Sequence, residues 1–140
     1  MLQIAEIWVY VVEDEGSESL MGVQRGGQRA PLVAPDRQQA EALRPLADRA
    51  GRPYRLLRFT EREDITDRLP RRSHKNDRVS AVSVLVAADE DGDESIVTSR
   101  DEHLPLVALF PSGLRKLIRM AETMGQPFRV LRFGRREEVG

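Results

Sequence analysis

The chain carries the same order of hydrophobic and polar segments twice. In the first copy, residues 4–12 are dense in β-branched and aromatic side chains, which predicts a strand buried on much of both faces. An acidic turn and a returning strand at 20–24 follow, and two glycines then break the pattern. A short extended piece at 31–34 leads to a helix, and residues 54–60 predict the closing strand.

The first helix is predicted to begin at Asp36, because Asp36 and Gln39 have the spacing of a capping box. Gly51 is predicted to end it. Proline inside a helix removes a hydrogen bond and clashes with the preceding turn, at a cost of about 3 kcal/mol. Pro45 therefore predicts a kink or a restart near Arg44. The helix has one narrow apolar stripe, typical of a helix lying on a sheet. It consists of Ala40, Leu43, Leu46, Ala47 and Ala50.

The second copy begins with a strand at 79–88 and an acidic turn, DEDGDE, at 89–94. Residues 95–99 and 104–109 predict extended chain. A second helix follows, with Ser112 as its expected cap and Gly125 as its stop, and 128–133 predict the closing strand. Its apolar stripe is continuous. The stripe consists of Leu114, Leu117, Ile118, Ala121 and Met124.

The two copies align directly at their ends. GRPYRLLRFTEREDI, 51–65, matches GQPFRVLRFGRREEV, 125–139, without a gap, and eight of the fifteen positions are identical. The same alignment, which places Gly51 on Gly125, also places PLVA at 31–34 on PLVA at 105–108. We therefore predict an α+β fold made by tandem duplication of a ββ(β)αβ unit, with mainly antiparallel sheets, helices packed on one face and a pseudo-twofold arrangement.

The predicted boundaries are 1–66 for the first repeat, 67–78 for a polar, basic linker and 79–140 for the second repeat. A unit of about 60 residues buries only about 60% of its unfolded surface, so we expect the repeats to pack as one globular domain. The predicted core residues come from both repeats. They are Trp8, Tyr10, Val12, Leu43, Leu46, Leu57, Phe59, Val84, Val86, Leu117, Ile118, Leu131 and Phe133.

Composition narrows the function classes. The net charge is -1, with 22 basic and 23 acidic residues, so no global field favours nucleic acid or an anionic membrane. The chain has no Cys, which excludes disulfides and cysteine metal sites. No apolar run is long enough for a signal peptide or a membrane span, so we expect a cytoplasmic protein with no membrane partner.

The motifs of catalysis and metal binding are missing or incomplete. DEDGDE has alternating aspartates, as a calcium loop does, but Gly92 is fourth instead of sixth and Arg100 occupies the twelfth position. An acidic hairpin turn is the favoured interpretation, and a weak divalent-cation site stays the alternative. His74 and His103 lie at non-equivalent places without a partner at ligand spacing. We therefore predict no catalytic residue, no metal site and no cofactor.

The best candidates for a site are arginines that recur in both closing strands and in the linker. Arginine on both sides of an otherwise apolar strand predicts a position near a sheet edge or a strand end. These groups either pair with the acidic turns inside the molecule or bind an external anion on a partner. The candidates are Arg55, Arg58, Arg62, Arg71, Arg72, Arg129, Arg132 and Arg136.

The leading functional hypothesis is a small non-enzymatic protein-binding or regulatory module, which acts through sheet edges, the groove between the copies or its charged faces. Its protein partner is not identified by the sequence, and a homodimer stays open. The alternative is a nucleic-acid-binding protein that uses the arginine-rich strands and the linker. A small enzyme or ligand-binding protein with a site between the repeats is the third hypothesis.

Overall fold

The computed structural model describes residues 2–25, 27–69, 79–100 and 104–139. They form an α+β fold in which two helices pack on a large, curled antiparallel sheet. Neither helix in these ranges is long and apolar enough to cross a membrane. In chain order the elements are β1 (Ile7–Asp14), β2 (Ser17–Leu20), β3 (Gly22–Arg25), β4 (Gln28–Pro31), β5 (Val33–Ala34), α1 (Arg37–Arg49), β6 (Arg55–Asp64), β7 (Val82–Ala88), β8 (Glu94–Ile96), β9 (Val107–Ala108), α2 (Pro111–Met124) and β10 (Arg129–Val139).

The main sheet has the strand order β2-β1-β6-β10-β7-β8, with β5 beside β1 and β9 beside β7. It is one continuous sheet, and not one sheet for each repeat as the sequence suggested. β6 and β10, the closing strands, are its central pair, so of the two positions predicted for their arginines the sheet edge is wrong, whereas Arg55 and Arg129 do lie at strand ends. The physical reason is length: both strands continue beyond the apolar core, and their arginines meet carboxylates there.

The register of β6 and β10 runs from Leu56 opposite Val139 to Asp64 opposite Leu131. Opposed residues of an antiparallel pair point to the same face. Arg62 is opposite Phe133 and therefore lies on the same face as that buried ring. Strict alternation from the start of β6 would have placed Arg62 on the other face. In β10 the alternation of side chains between the two faces of the sheet is interrupted near Arg135, which has a positive φ of 63°.

The sheet curls around a core that both halves supply, which we call the inner core. Two outer clusters lie on the opposite face, one beneath α1 and one beneath α2. Ile65, at the end of β6, packs in the cluster of the second half, and Val139, at the end of β10, packs against that of the first. The inner core includes Ile7, Val9, Val11, Leu57, Phe59, Val82, Val84, Val86, Leu131 and Phe133.

The predicted core residues on strands are all buried. The four predicted core residues on helices are only half-buried, because each helix covers the sheet with its smaller side chains, such as Ala40 and Ala121. These four residues are Leu43, Leu46, Leu117 and Ile118.

The helix ends differ in part from the prediction. Asp36 does cap α1 by accepting from the backbone N–H of Gln39 at 2.8 Å. The predicted restart at Pro45 does not occur, since α1 is continuous through this exposed residue, where water can reach the carbonyl that lacks a partner. The predicted cap of α2 is wrong as well. Phe110 occupies the cap position without a side-chain hydrogen bond, and Pro111 begins the helix.

The predicted second strand at 20–24 is two strands. β2 ends at Leu20, and β3 begins at Gly22 to pair with β4 in a separate two-stranded sheet. Met21, between them, donates to the carbonyl of Tyr10 at 2.8 Å and accepts from Leu32 at 2.9 Å. Tyr10 in turn donates to the carbonyl of Leu32 at 3.1 Å, which closes a backbone triangle and turns the chain away from the sheet.

Candidate functional site

Arg62 and Glu94 form an ion pair between the two halves, which we call the Glu94 clamp. The two guanidinium Nη atoms of Arg62 donate to the two carboxylate oxygens of Glu94 at 2.6 and 2.8 Å. Arg62 also donates to the carbonyl of Ile4 at 2.8 Å, and the backbone N–H of Ile4 donates to Glu94 at 2.9 Å. The end of β6 therefore ties the segment before β1 to β8.

Arg136 and Glu18 form the corresponding pair, which we call the Glu18 clamp. Arg136 donates to the two carboxylate oxygens of Glu18 at 2.5 and 2.8 Å and to the carbonyl of Val79 at 3.0 Å. The N–H of Val79 donates back to Glu18 at 2.8 Å. The end of β10 in this way ties the segment before β7 to β2.

The clamps are buried to different extents but have the same electrostatic effect. The bidentate hydrogen bonds raise the pKa of Arg62 and Arg136 above the ordinary arginine value and lower that of Glu94. Glu18 is the one charged residue that is fully buried in the described part of the chain. Because charge pairs of this geometry are strong and both Nη atoms of each arginine already donate to a carboxylate, neither Arg62 nor Arg136 is available to bind an external anion.

Two further candidate arginines occupy the starts of the central strands and pair more loosely. Arg55 lies 3.3 Å from Glu13, 3.6 Å from Glu18 and 3.7 Å from Glu138. Arg129 lies 3.4 Å from Asp64, whose pKa is lowered mainly by hydrogen bonds from Thr66. Both arginine side chains are about half or more exposed, at 46% and 70%.

Arg58 occupies the outer face of β6 and has three partners. It pairs with Glu6 at 3.0 Å and with Glu137 at 3.3 Å, and its guanidinium carbon lies 5.6 Å from the centroid of the Trp8 ring. Trp8 also donates to Glu6 through its indole N–H. Cation–π contact of this kind favours a charged arginine over the ring face.

Arg132 is exposed and makes no ion pair with any residue that the structure describes, although Glu63 stands opposite it in the register. Arg71 and Arg72 lie outside the described residues, as do His74 and His103. The six candidate arginines that the structure describes are therefore spread over both faces and both ends of the central strands and do not form one basic surface.

The acidic turn after β7 is a hairpin turn with a built-in side-chain acceptor. Asp89 accepts the backbone N–H groups of Asp91 and Asp93, each at 2.9 Å. Asp93 also accepts from the N–H of Leu2 at 2.5 Å. Carboxylate oxygens of these three aspartates come within 4.8 Å of one another, but those of Asp89 and Asp93 already accept backbone N–H groups. The turn geometry accounts for the aspartates, and nothing further indicates a cation.

A groove lies between the halves, with a volume of about 750 Å³. One wall comes from the first half, at β2 and β4, and the other from residues 104–110 and one side of α2. We call it the inter-half groove. Its lining is mainly apolar, with two cationic side chains, Arg29 and Lys116, and two serines among the described residues.

The sequence named a groove between the copies only in general and did not identify its residues, because its walls come from different halves of the chain that come together only in the folded protein. One signal was present: Leu117 and Met120 belong to a helix with a broad apolar stripe, and Met120 remains 38% exposed in the fold. Glu18 and Glu94 were missed as partners for another reason. The gapless alignment of the copies places Glu18 on Gly92, so it does not superimpose the two glutamates.

Comparisons with protein families, with curated proteins and with solved structures each find no match. What this chain binds is therefore inferred below from its own residues.

Proposed function

We propose that the protein is a small, non-enzymatic protein-binding module whose binding surface is the inter-half groove. The observation that carries this proposal is the groove itself, at about 750 Å³, within the range typical of ligand-binding clefts. Its floor is mostly hydrophobic, and contiguous exposed apolar surface on a small domain is typical of an interaction site. Exposed Met120 and half-buried Leu117 and Phe110 supply much of it.

The character of the lining supports binding over catalysis. Enzyme sites bring together an acid, a base or a nucleophile with a perturbed pKa. The described lining of the groove contains Arg29 and Lys116 as its ionisable side chains, and neither a carboxylate nor an imidazole stands among the residues of this lining. The groups with shifted pKa values lie elsewhere, in ion pairs and turns that the fold itself uses.

Nucleic-acid binding has less support. Phosphate recognition needs cations that are available to the ligand. Five of the candidate arginines instead lie within 4.0 Å of carboxylates of the chain itself. These are Arg55, Arg58, Arg62, Arg129 and Arg136.

For the architecture, we propose a tandem duplication with a pseudo-twofold axis between the central strands. Corresponding strands lie at the same distance from the two edges of the sheet: β2, β1 and β6 follow one another from one edge, and β8, β7 and β10 from the other. The pairs β1–β5 and β7–β9 also have corresponding registers. The backbone triangle of the first half also has a counterpart. Leu85, Val97 and Leu106 are joined by hydrogen bonds of 3.1, 2.8 and 2.9 Å, the same lengths as those joining Tyr10, Met21 and Leu32.

The duplication proposal can be tested with the two halves of the chain produced as separate fragments. If the surfaces are equivalent, residues 79–140 will fold by pairing with a second copy of themselves, and residues 1–69 refolded together with them will take the place of one copy. Analytical ultracentrifugation of each half and of the mixture measures this. A second half that stays monomeric, and that the first half does not bind, would count against the pseudo-twofold arrangement.

The binding proposal is tested by differential capture from the source cell, with nuclease-treated lysate at low and high salt. Met120→Asp places a charge in the groove and should abolish capture of the partner. Leu69→Asp is the matched control, because Leu69 is equally exposed, at 37% against 38%, and lies outside the groove. The partner is then purified and its binding repeated with both variants. The proposal would be contradicted if Met120→Asp still captured the partner, or if nuclease treatment abolished capture by the natural chain.

A further inference from the structure

The inter-half groove has two cationic side chains on its walls for which the described residues supply no ion-pair partner. Arg29 is exposed on β4, and Lys116 is exposed on α2, so each wall contributes one cation. Neither forms an ion pair with a residue that the structure describes. The candidate arginines on the sheet behave differently, since five of them have carboxylate partners.

The apolar part of the groove lies between these two cations. α2 presents Gly113, Leu117 and Met120 on one side, a spacing that places them on one face of the helix, and Leu20 and Pro31 stand on the other wall. A methionine side chain is unbranched and adapts its shape, which suits a surface that receives another chain. An occupant that fits both features needs apolar side chains for the floor and negative charge for the rims.

We propose, resting on the groove being the binding surface, that its occupant is a short peptide segment of a partner protein in which Asp or Glu flanks an apolar anchor. Complementary charge at the rim of an interface mainly speeds association and selects the partner, while the buried apolar contact supplies most of the affinity. Arg29 and Lys116 are thus specificity residues, and Leu117 and Met120 are the anchor contacts.

The probe is a library of short random peptides displayed on phage and selected on the full-length chain, and each selected peptide is afterwards tested for binding to the Met120→Asp variant. We expect the selected peptides to contain Leu, Ile or Phe together with Asp or Glu. A synthetic copy of one such peptide is then titrated by fluorescence anisotropy. Lys116→Glu should weaken it about threefold to tenfold, and the loss should shrink at high salt.

Arg119→Glu is the matched control for charge, because Arg119 lies on the same helix, is exposed and does not line the groove. It should leave the affinity within about twofold. A peptide in which the acidic residues are replaced by Lys should bind poorly to the natural chain and regain affinity for Lys116→Glu. That charge exchange separates direct pairing from a general effect of net charge.

The outcomes distinguish the two proposals. If selected peptides lose binding with Met120→Asp but are indifferent to Lys116→Glu and to salt, the groove binds peptides and the acidic character is overturned. If no peptide is selected, or if Met120→Asp does not affect those that are, both proposals fail. Sedimentation that shows a concentration-dependent dimer, broken by Met120→Asp, would identify a second copy of this chain as the occupant and would also overturn the acidic-peptide assignment.

Discussion

The first and second halves hold each other through corresponding clamps that differ in depth. In the Glu18 clamp the carboxylate is 2% exposed and its partner Arg136 15%. In the Glu94 clamp the corresponding exposures are 10% for the carboxylate and 25% for Arg62. Removing one member of a buried pair leaves an uncompensated charge in a poorly solvated place, and the cost rises with burial. The same contact should therefore matter more in one half than in the other.

The outer faces of the central strands differ more than the clamps do. Arg58 packs over Trp8 and pairs with Glu6 in the first half. In the second half the corresponding position is Arg132, with Ser83 opposite it on β7. The backbone is alike at both places, yet only the first half supplies an aromatic ring and a carboxylate for the arginine among the residues that the structure describes. The contrast indicates that shared backbone geometry does not require shared surface chemistry.

The largest expected difference between the halves is in the clamps. Glu18→Gln keeps the shape but removes the buried partner of Arg136, whose remaining carboxylate, Glu138 at 3.1 Å, is 53% exposed. We expect it to lower the free energy of unfolding by about 3–4 kcal/mol. Glu94→Gln, in the more exposed clamp, should cost about 1–2 kcal/mol. Urea denaturation monitored by circular dichroism measures both.

Glu13→Gln is the control for these variants, since it removes the same charge from a side chain that is 51% exposed. It should cost less than about 0.5 kcal/mol. Equal costs for Glu18→Gln and Glu94→Gln would show that the difference in burial has no energetic consequence.

The helices offer the next test, because α1 contains Pro45 where α2 contains Arg119 when Gly51 is aligned with Gly125. Arg119→Pro should cost about 3 kcal/mol, through the lost hydrogen bond and the clash with the preceding turn. Pro45→Ala should stabilise by about 2 kcal/mol, since part of the gain is offset by greater freedom of the unfolded chain. Thermal denaturation of the two variants, with Arg119→Ala as control, measures the pair. An unchanged stability in Pro45→Ala would mean that α1 has adapted to its proline.

A third test measures how the contribution of the Glu94 clamp to stability depends on pH. The folded pKa of Glu94 lies below 4.5, its ordinary value, because of the hydrogen bonds from Arg62. A lowered pKa contributes stability that is complete above about pH 4.5 and is lost as the pH falls through the folded value. The difference in unfolding free energy between the natural chain and Glu94→Gln should therefore be constant near neutral pH and shrink as the pH falls below the ordinary value. Glu90→Gln corrects for net charge, and a difference that grows on acidification would contradict the assignment.

The smallest effect is expected on the outer face. Arg58→Gln removes the cation from the Trp8 ring and should shift the fluorescence emission of this single tryptophan and lower the midpoint of thermal unfolding slightly. Arg132→Gln, at the corresponding exposed position, should change neither quantity. Identical behaviour of the two variants would remove the distinction between the outer faces.

The sequence predicted the local elements well where periodicity was strong. Strand residues such as Tyr10, Phe59 and Leu131 are buried as expected, and the Asp36 cap is formed. Short-range pattern does not determine how strands pair over long distances, so the central position of β6 and β10 was missed. The positive φ of Arg135 was not visible either, because arginine rarely adopts that conformation and no pattern marks it.

The candidate site was harder to predict than the fold. Arginines such as Arg62 and Arg136 stood out because they recur, but recurrence does not tell whether the partner of a cation is internal or external. The structure gives internal partners to both. The groove has no sequence motif at all, since Arg29 and Lys116 come to line one opening only when the halves meet.

The long sequence separation between the two residues of the Glu18 clamp affects how the chain folds. Glu18 and Arg136 are separated by 118 residues, so the bidentate partner of this buried carboxylate is synthesised late, and until then the described residues offer Arg55, 3.6 Å away in the fold, to offset its charge. Contacts at such separation make folding slow, and the chain exposes apolar strand edges until they form. We expect the nascent first half to remain incompletely folded and open to chaperones until β10 is released from the ribosome, which makes β10 the strand that completes this sheet.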